Sequence, residues 1–360
     1  MKKEILISFF PYMTHARYQQ LLRAYGSLDV AWHASAEEIE KKAGWKKELA
    51  ETFITWKKNI CEEYIHMQLA QEHITCITQD DPAYPTLLKE LFDPPFCLFI
   101  RGTLQHTAFP LAVVGPRKSS SYGRQVTKEI IPPLVHAGVT IVSGLALGID
   151  GIAHTSALTA SGITVAVLGG GIDDKTLYPR MHRDLAKKIV AGGGAVISEY
   201  PPGIEPTRYS FPKRNRIIAG MSLGTLVIEA TARSGALVTA QAALDTNRDI
   251  FAIPQHITAE TSIGTNTLLK EGAHLITSYH DILEVLHLQD HTQYVTNKEI
   301  LPDSPAEATI LAHLSREAIH VDQLIRQSKL PSSLVMSTLT LLEMKGVITN
   351  IGGMMYVLNK

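Results

Sequence analysis

The stretch Arg208 to Arg216, RYSFPKRNR, holds four cationic side chains and two aromatics with no acid among them. The chain as a whole carries a formal charge of -1, so this clustering is local and does not follow from a basic composition. Cations at this density can track phosphates, and aromatic faces can take unpaired bases of any identity. The chemistry this points to is contact with single-stranded nucleic acid. The alternative is a solvated loop in which Tyr209 and Phe211 fill a core and the cations face water.

Three glycine-bearing loops add to the inventory. In VVGPRKSSSYG, Gly115 ends an apolar run, Arg117 and Lys118 follow, and Ser119, Ser120 and Ser121 precede a helix. Free N–H groups at a helix N-terminus, joined by Arg and Ser, make a phosphate cradle; the competing reading is a serine N-cap beside two exposed bases. SGLALGIDGIAH brings Ser143, Gly144, Gly148 and Gly151, and LGGGIDDKTLYP brings Gly169, Gly170 and Gly171. The first is not GxGxxG, and no GxxxxGK[ST] occurs, so ATP-driven motor chemistry has no support. The glycine triplet admits close approach of a ligand or of neighbouring chain.

Asp150 and His154, four residues apart, share one helix face and read either as a general-base pair or, more commonly, as an internal cap or buried pair. Glu229, at the end of the run TLVI, can bind a ribose hydroxyl or base edge or can pin a loop by accepting N–H bonds, and the pinning role is favoured. Ser234 and Gly235 then open a new helix. The 15 histidines show no HExxH or related spacing, so no metal and no cofactor is expected.

The elements that position these loops are legible as alternation. Apolar, β-branched runs recur at 111–114, 139–142, 163–168, 195–197, 225–228 and 250–253, each followed by a glycine turn or a helix-like segment. This pattern predicts an α/β fold with a doubly wound parallel sheet, and runs such as TVAVL suit strands covered on both faces. Ligands of such sheets sit beyond the carboxyl ends of the strands, where these loops lie.

A length of 360 residues implies two or three domains. The N-terminal MKKEILISFFPYM lacks the apolar length and small-residue cleavage pattern of a signal peptide, and no window is long enough to span a bilayer. Cys61, Cys76 and Cys97 form no CxxC pair and are odd in number, which argues against a disulfide framework or zinc site and fits a reducing cytoplasm.

In order and spacing, GPRKSSSYG, SGLALGIDGIAH, AVLGGGIDDKTLYP, SEYPPG, FPKRNRIIAG, EATARSGALVTA and GTNTLLKEGAH resemble the DprA (Smf) family of DNA-processing proteins over residues from about 80 to 287. The resemblance implies a Rossmann-like core without a chemical step. That core would bind single-stranded DNA in natural transformation, protect incoming strands and help load a RecA-type recombinase. It implies a DNA pocket formed by Arg117, Lys118, Ser143, Gly144, Arg208, Phe211, Lys213, Arg214, Asn215 and Arg216, supported by Gly115, Glu229, Ser234 and Gly235. It also implies a homodimer through Asn266, Thr267, Leu269 and Ile276. In these roles Arg117 holds a phosphate, Phe211 stacks on a base, and Arg208 and Arg214 follow the backbone. Two positions depart from the family pattern: Pro116 stands where Ser or Thr is usual, and Ile253-Pro254-Gln255 replaces Val-Pro-Gly.

The flanks read as separate modules. Residues 1–70 form a small helical domain, similar to SAM-like or helix-hairpin-helix domains, with Trp32, Trp45 and Trp56 in its core. Residues 71–288 form the Rossmann-like core, whose lead-in, 74–102, is a connecting segment with DDPAYP and FDPP turns. Residues 289–305 read as a linker, and 306–360 as a winged helix whose third helix carries only Lys345 as a base. With five basic and four acidic side chains over Glu307–Lys360, that domain suits protein contact or weak duplex contact. The rival readings are a LOG-type nucleotide phosphoribohydrolase dependent on Glu229, or a nucleotide-sensing module.

Overall fold

Serine and threonine caps set the helical N-terminal part. The side chains of Thr14, Ser27 and Ser35 accept N–H bonds from Arg17, Val30 and Glu38, each at 3.3 Å. These open α2 (His15–Tyr25), α3 (Leu28–His33) and α4 (Ala36–Ala43), preceded by α1 (Lys3–Ser8) and followed by α5 (Lys47–Asn59) and α6 (Glu62–Gln71). The cluster they enclose holds Phe10, Leu21, Ile39, Trp45 and Phe53, with Trp32 and Trp56 half-buried against it. The computed structural model describes residues 1–104, 109–288, 304–314, 319–344, 348–350 and 353–358. The chain divides into two compact units, Met1–Gln289 and Asp290–Lys360.

Each expected run becomes a strand, with ends shifted by a residue or so. The larger unit continues β1 (Ile74–Thr78), β2 (Cys97–Gly102), β3 (Pro110–Val114), α7 (Ser121–His136), β4 (Thr140–Ser143), α8 (Ile149–Thr159), β5 (Thr164–Leu168), α9 (Arg183–Ala191) and β6 (Ala195–Ser198). Then follow α10 (Ser210–Gly220), β7 (Gly224–Val227), α11 (Gly235–Leu244), β8 (Asp249–Ala252), α12 (Ile263–Lys270), β9 (His274–Leu275) and α13 (Tyr279–Val285). The strands form one nine-stranded sheet in the order β1-β2-β6-β5-β4-β3-β7-β8-β9. From β6 to β9 all neighbours are parallel, while β1 and β2 add antiparallel strands at one edge, so the sheet is mixed. The segment 74–102, expected as a connector, therefore supplies two strands.

Alternation within each strand assigns its side chains to two cores. Ala112, Val114, Val142 and Val167 pack with Ile217 and Ile218 of α10 and Ala236 and Ala240 of α11. Leu111, Val113 and Ile141 pack with Ile131 and Leu134 of α7 and Ala153 of α8. With both faces covered, successive strands run outward from β3 in two directions, and the loops at their carboxyl ends converge beside the centre of the sheet.

In the smaller unit, α14 (Pro305–Leu311), α15 (Val321–Ser328) and α16 (Ser332–Met344) accompany a three-stranded sheet of β10 (Ile319–His320), β11 (Ile348–Asn350) and β12 (Met355–Leu358). Its core includes Ile310, Leu324, Val335, Leu339 and Tyr356. Most of the expected linker, together with Lys345 and Gly352, lies outside the described residues.

Candidate nucleic-acid interface

A cavity of about 20 Å³ lies where the loops after β3, β4 and β5 meet α10. Arg117 comes from the first loop, Gly144 and Leu147 from the second, Tyr178 from the third, and Phe211 and Arg214 from the helix. The Arg117 guanidinium carbon stands 5.0 Å from the Phe211 ring centroid, a cation–π contact between exposed and half-buried partners. Tyr178, 45% exposed, brings its ring centroid to 5.8 Å from that of Phe211. Lys118 is exposed beside Arg117. At the start of α10, Arg208 lies 4.7 Å over the ring of Tyr209, itself 71% exposed. The first turn of α10 contains no acid, which leaves the positive end of its dipole unopposed locally.

Arg214 is not at the surface. It is 5% exposed, and its Nη1 donates to the carbonyls of Gly144 (2.6 Å) and Val167 (2.7 Å). A Cβ at Gly144 would stand 1.9 Å from that same nitrogen, so any side chain there would displace the guanidinium. Burial pushes the guanidinium down to about 10, offset by the negative charge of Asp150. Arg214 therefore ties the loop after β4 to β5 from within the wall of the cavity. Arg216 is likewise engaged: Nη2 donates to Glu199 Oε2 at 2.5 Å and Nη1 to the Asp93 carbonyl at 2.7 Å. Lys213 lies 3.5 Å from the same Glu199 oxygen, and Asn215 Nδ2 donates to the Gly235 carbonyl at 3.2 Å. Ser143 is fully buried with its hydroxyl donating to the Val113 carbonyl at 2.6 Å, so it offers nothing to a ligand.

The loops are held by buried polar side chains. Asp150 Oδ2 accepts from the N–H groups of Gly144 (3.1 Å) and Ala146 (3.3 Å); burial pushes its acidity weaker while the Arg214 charge and these bonds pull the other way. His154 meets Thr164 Oγ1 at 2.7 Å, so Asp150 and His154 serve separate internal contacts. Glu229, fully buried, accepts the Ser120 N–H at 3.0 Å and the Ser120 hydroxyl, and Ser120 in turn caps α7 by accepting from Gly123 at 3.0 Å. The carboxylate thus pins the first loop. Gly115 packs under Ile149, where a Cβ would meet Cγ1 at 2.5 Å, and Ser234 caps α11 by accepting the Ala236 N–H at 3.2 Å. Gly169 and Gly170 admit the segment 204–211, with virtual Cβ distances of 3.2 Å to Phe211 and 3.0 Å to the Ile204 carbonyl.

The two departures from the family pattern are absorbed locally. The Pro116 carbonyl accepts the Ile149 N–H at 3.3 Å. Gln255 Nε2 donates to the Ile228 carbonyl at 2.8 Å, and its backbone exchanges bonds of 3.3 and 3.2 Å with the Asn266 amide. Asn266 is thereby committed within its own chain. Thr267 is exposed and Leu269 half-buried, but Ile276, expected at a dimer surface, is 1% exposed and belongs to the core beneath β8 and α13. Tyr178 was not singled out in the sequence; the signal was an aromatic preceding proline at the end of the glycine-triplet loop.

A sheet covered on both faces, with a cationic, ring-lined cavity beyond its central strand ends, defines a protein that binds nucleotides or nucleic acid. The chain belongs to the DNA recombination-mediator protein A family, which it matches over residues 75–287, and residues 297–354 match the DprA winged helix domain. Protein Smf of Escherichia coli (strain K12) is 36% identical over 342 residues, covering 89% of this chain and 88% of the relative. The X-ray structure of DNA processing protein A from Streptococcus pneumoniae superposes with a TM-score of 0.66 at 34% identity, over 79% of this chain and 98% of that one. DNA processing protein A from Helicobacter pylori, whose structure concerns its single-stranded DNA binding mode, gives 0.53 at 29% identity, over 60% of this chain and 97% of that one.

Proposed function

We propose that this protein binds single-stranded DNA at the Arg117–Phe211–Tyr178 cavity, without a chemical step, and acts in DNA processing during natural transformation. The observation that carries this reading is the contact of Arg117 with the face of Phe211 at 5.0 Å. The cavity holds about one water, so a base reaches the ring only when the guanidinium swings away. The displaced cation then stands beside the phosphate of the same nucleotide, which couples stacking to charge neutralisation. Lys118, Arg208 and Tyr209 extend the contact along the surface, while Lys213, Arg214 and Arg216 shape the helix that presents it. Glu229 has no free oxygen turned to a ligand in this role, which weighs against nucleotide hydrolysis.

The sheet is read as a Rossmann-like doubly wound core, flanked by a helical module over 1–70 and a winged helix. Loading of a RecA-type recombinase and dimerisation through the β9 edge, with Thr267, Leu269 and the 54% exposed Leu275, complete the proposal for a cytoplasmic protein. On α16, Leu334, Met336 and Leu341 are exposed, which favours protein contact for that helix. The test is anisotropy of a labelled oligothymidylate against a matched duplex over a salt series. Tight, salt-sensitive binding of the single strand supports the reading; equal or absent binding of both overturns it.

A further inference from the structure

A second cleft, of about 150 Å³, opens on the other side of α10 between residues 8–15, 94–96 and 199–204. Phe211 and Arg214 face the first cavity and Lys213 and Arg216 the second, as a turn of 100° per residue requires. At its floor Glu199 is 9% exposed. Its Oε2 is occupied by Arg216 and Lys213, but Oε1 has no hydrogen-bond partner among the described residues. A buried carboxylate oxygen of this kind calls for a donor. A cation is disfavoured, because Lys213 and Arg216 already flank the carboxylate. A neutral N–H is the fitting partner.

The lining includes Phe96, whose ring stacks on that of Tyr18 at 4.5 Å, Tyr200, whose ring carries Lys213 Nζ at 5.4 Å, and Pro95. A nucleobase combines flat faces with neutral N–H donors, and guanine alone places two of them, N1–H and N2–H, side by side on one edge. Thymine flanks its single N–H with carbonyl oxygens that a carboxylate opposes. We propose that this cleft takes a guanine of the same strand that stacks at Phe211, the strand crossing the start of α10 over Arg208 and Tyr209. The inference rests on the single-strand reading above. A free guanine nucleotide presents the same edge, and the experiment separates the two sources.

The test uses the full-length protein and labelled oligothymidylates in which one guanosine is moved through every position. At one register the affinity rises about tenfold, equivalent to about 1.4 kcal/mol. N1-methylguanine at that register removes the gain and 7-deazaguanine keeps it. Glu199→Gln removes most of it; since Glu199 also holds Arg216, the base analogues decide the matter even if that variant folds poorly. Equal affinity at every register, with oligothymidylate still bound, overturns the proposal, as does a gain that survives N1-methylation. Loss of the gain on adding free dGMP at the oligonucleotide's own concentration overturns the strand assignment in favour of a mononucleotide site. Failure of oligothymidylate itself to bind removes the reading of the first cavity instead.

Discussion

Arg214→Ala separates a structural arginine from a strand-tracking one. The guanidinium donates to two buried carbonyls, of Gly144 and Val167, and its charge offsets that of buried Asp150. Removing it takes a donor from both carbonyls and leaves the carboxylate to the N–H groups of Gly144 and Ala146 and the Ser143 side chain. Breaking a buried charge arrangement by deleting one partner costs about 3–5 kcal/mol. For a unit of this size, at roughly 2 °C per kcal/mol, the melting temperature falls by about 6–10 °C. Arg214→Lys recovers part of the loss, because the ammonium keeps the charge facing Asp150 but sits on a shorter stem than the Nη1 that reaches both carbonyls. Thermal and urea unfolding of the full-length variants, read beside their DNA affinity, is the assay. An Arg214→Ala protein that melts like wild type, yet loses affinity with a shallower salt slope, would refute the structural assignment and return Arg214 to the phosphates.

Arg117→Ala and Lys118→Ala should each lower affinity for single strands and reduce the salt slope by roughly 0.7 per lost phosphate contact, without altering the melting temperature; an unchanged slope places that residue away from phosphate. Glu229→Ala leaves the Ser120 N–H and hydroxyl unpaired and should destabilise the protein by about 1–3 kcal/mol, with no nucleotide turnover to lose; a folded variant that abolishes measurable hydrolysis of a nucleoside monophosphate by wild type would favour an enzyme. His154 is pushed down from 6.5 to about 3 by burial, with the charges of His182 and Arg214 adding to the effect. The unfolded chain binds its proton near 6.5 and the folded chain resists until far lower, so this stability is whole above 6.5 and is lost as pH falls, at up to about 1.4 kcal/mol per unit. Urea unfolding of wild type and His154→Asn between pH 8 and 4 checks it: the difference in slope should disappear above pH 7.

The central strands were legible because a strand covered on both faces must be apolar throughout, as TVAVL and PLAVV are. β1 was not, since Ile74–Thr78 at the sheet edge mixes buried, half-buried and exposed positions; β2 was passed over although Cys97–Ile100 is a buried apolar run, and β9 spans only His274–Leu275. The functional loops could be found from glycine and charge, but the direction of each cation could not be read from composition. Helical spacing did hold the answer for one of them: Arg214, Ile217 and Ile218 stand at i, i+3 and i+4, so once α10 is drawn the arginine shares the buried face. Arg216 and Ile276 were beyond such reasoning, because their partners, Asp93 and Glu199 in the first case and the core under α13 in the second, come from distant segments.

The most direct measurement compares wild type and Phe211→Ala for binding to the same labelled single strand, with unfolding curves recorded in parallel. A ring that stacks on one base gives a loss of about 1–3 kcal/mol, roughly five- to 150-fold in affinity, with little change in stability. Undiminished affinity, or a loss that merely follows a collapsed melting transition, would contradict the placement of the strand at this cavity.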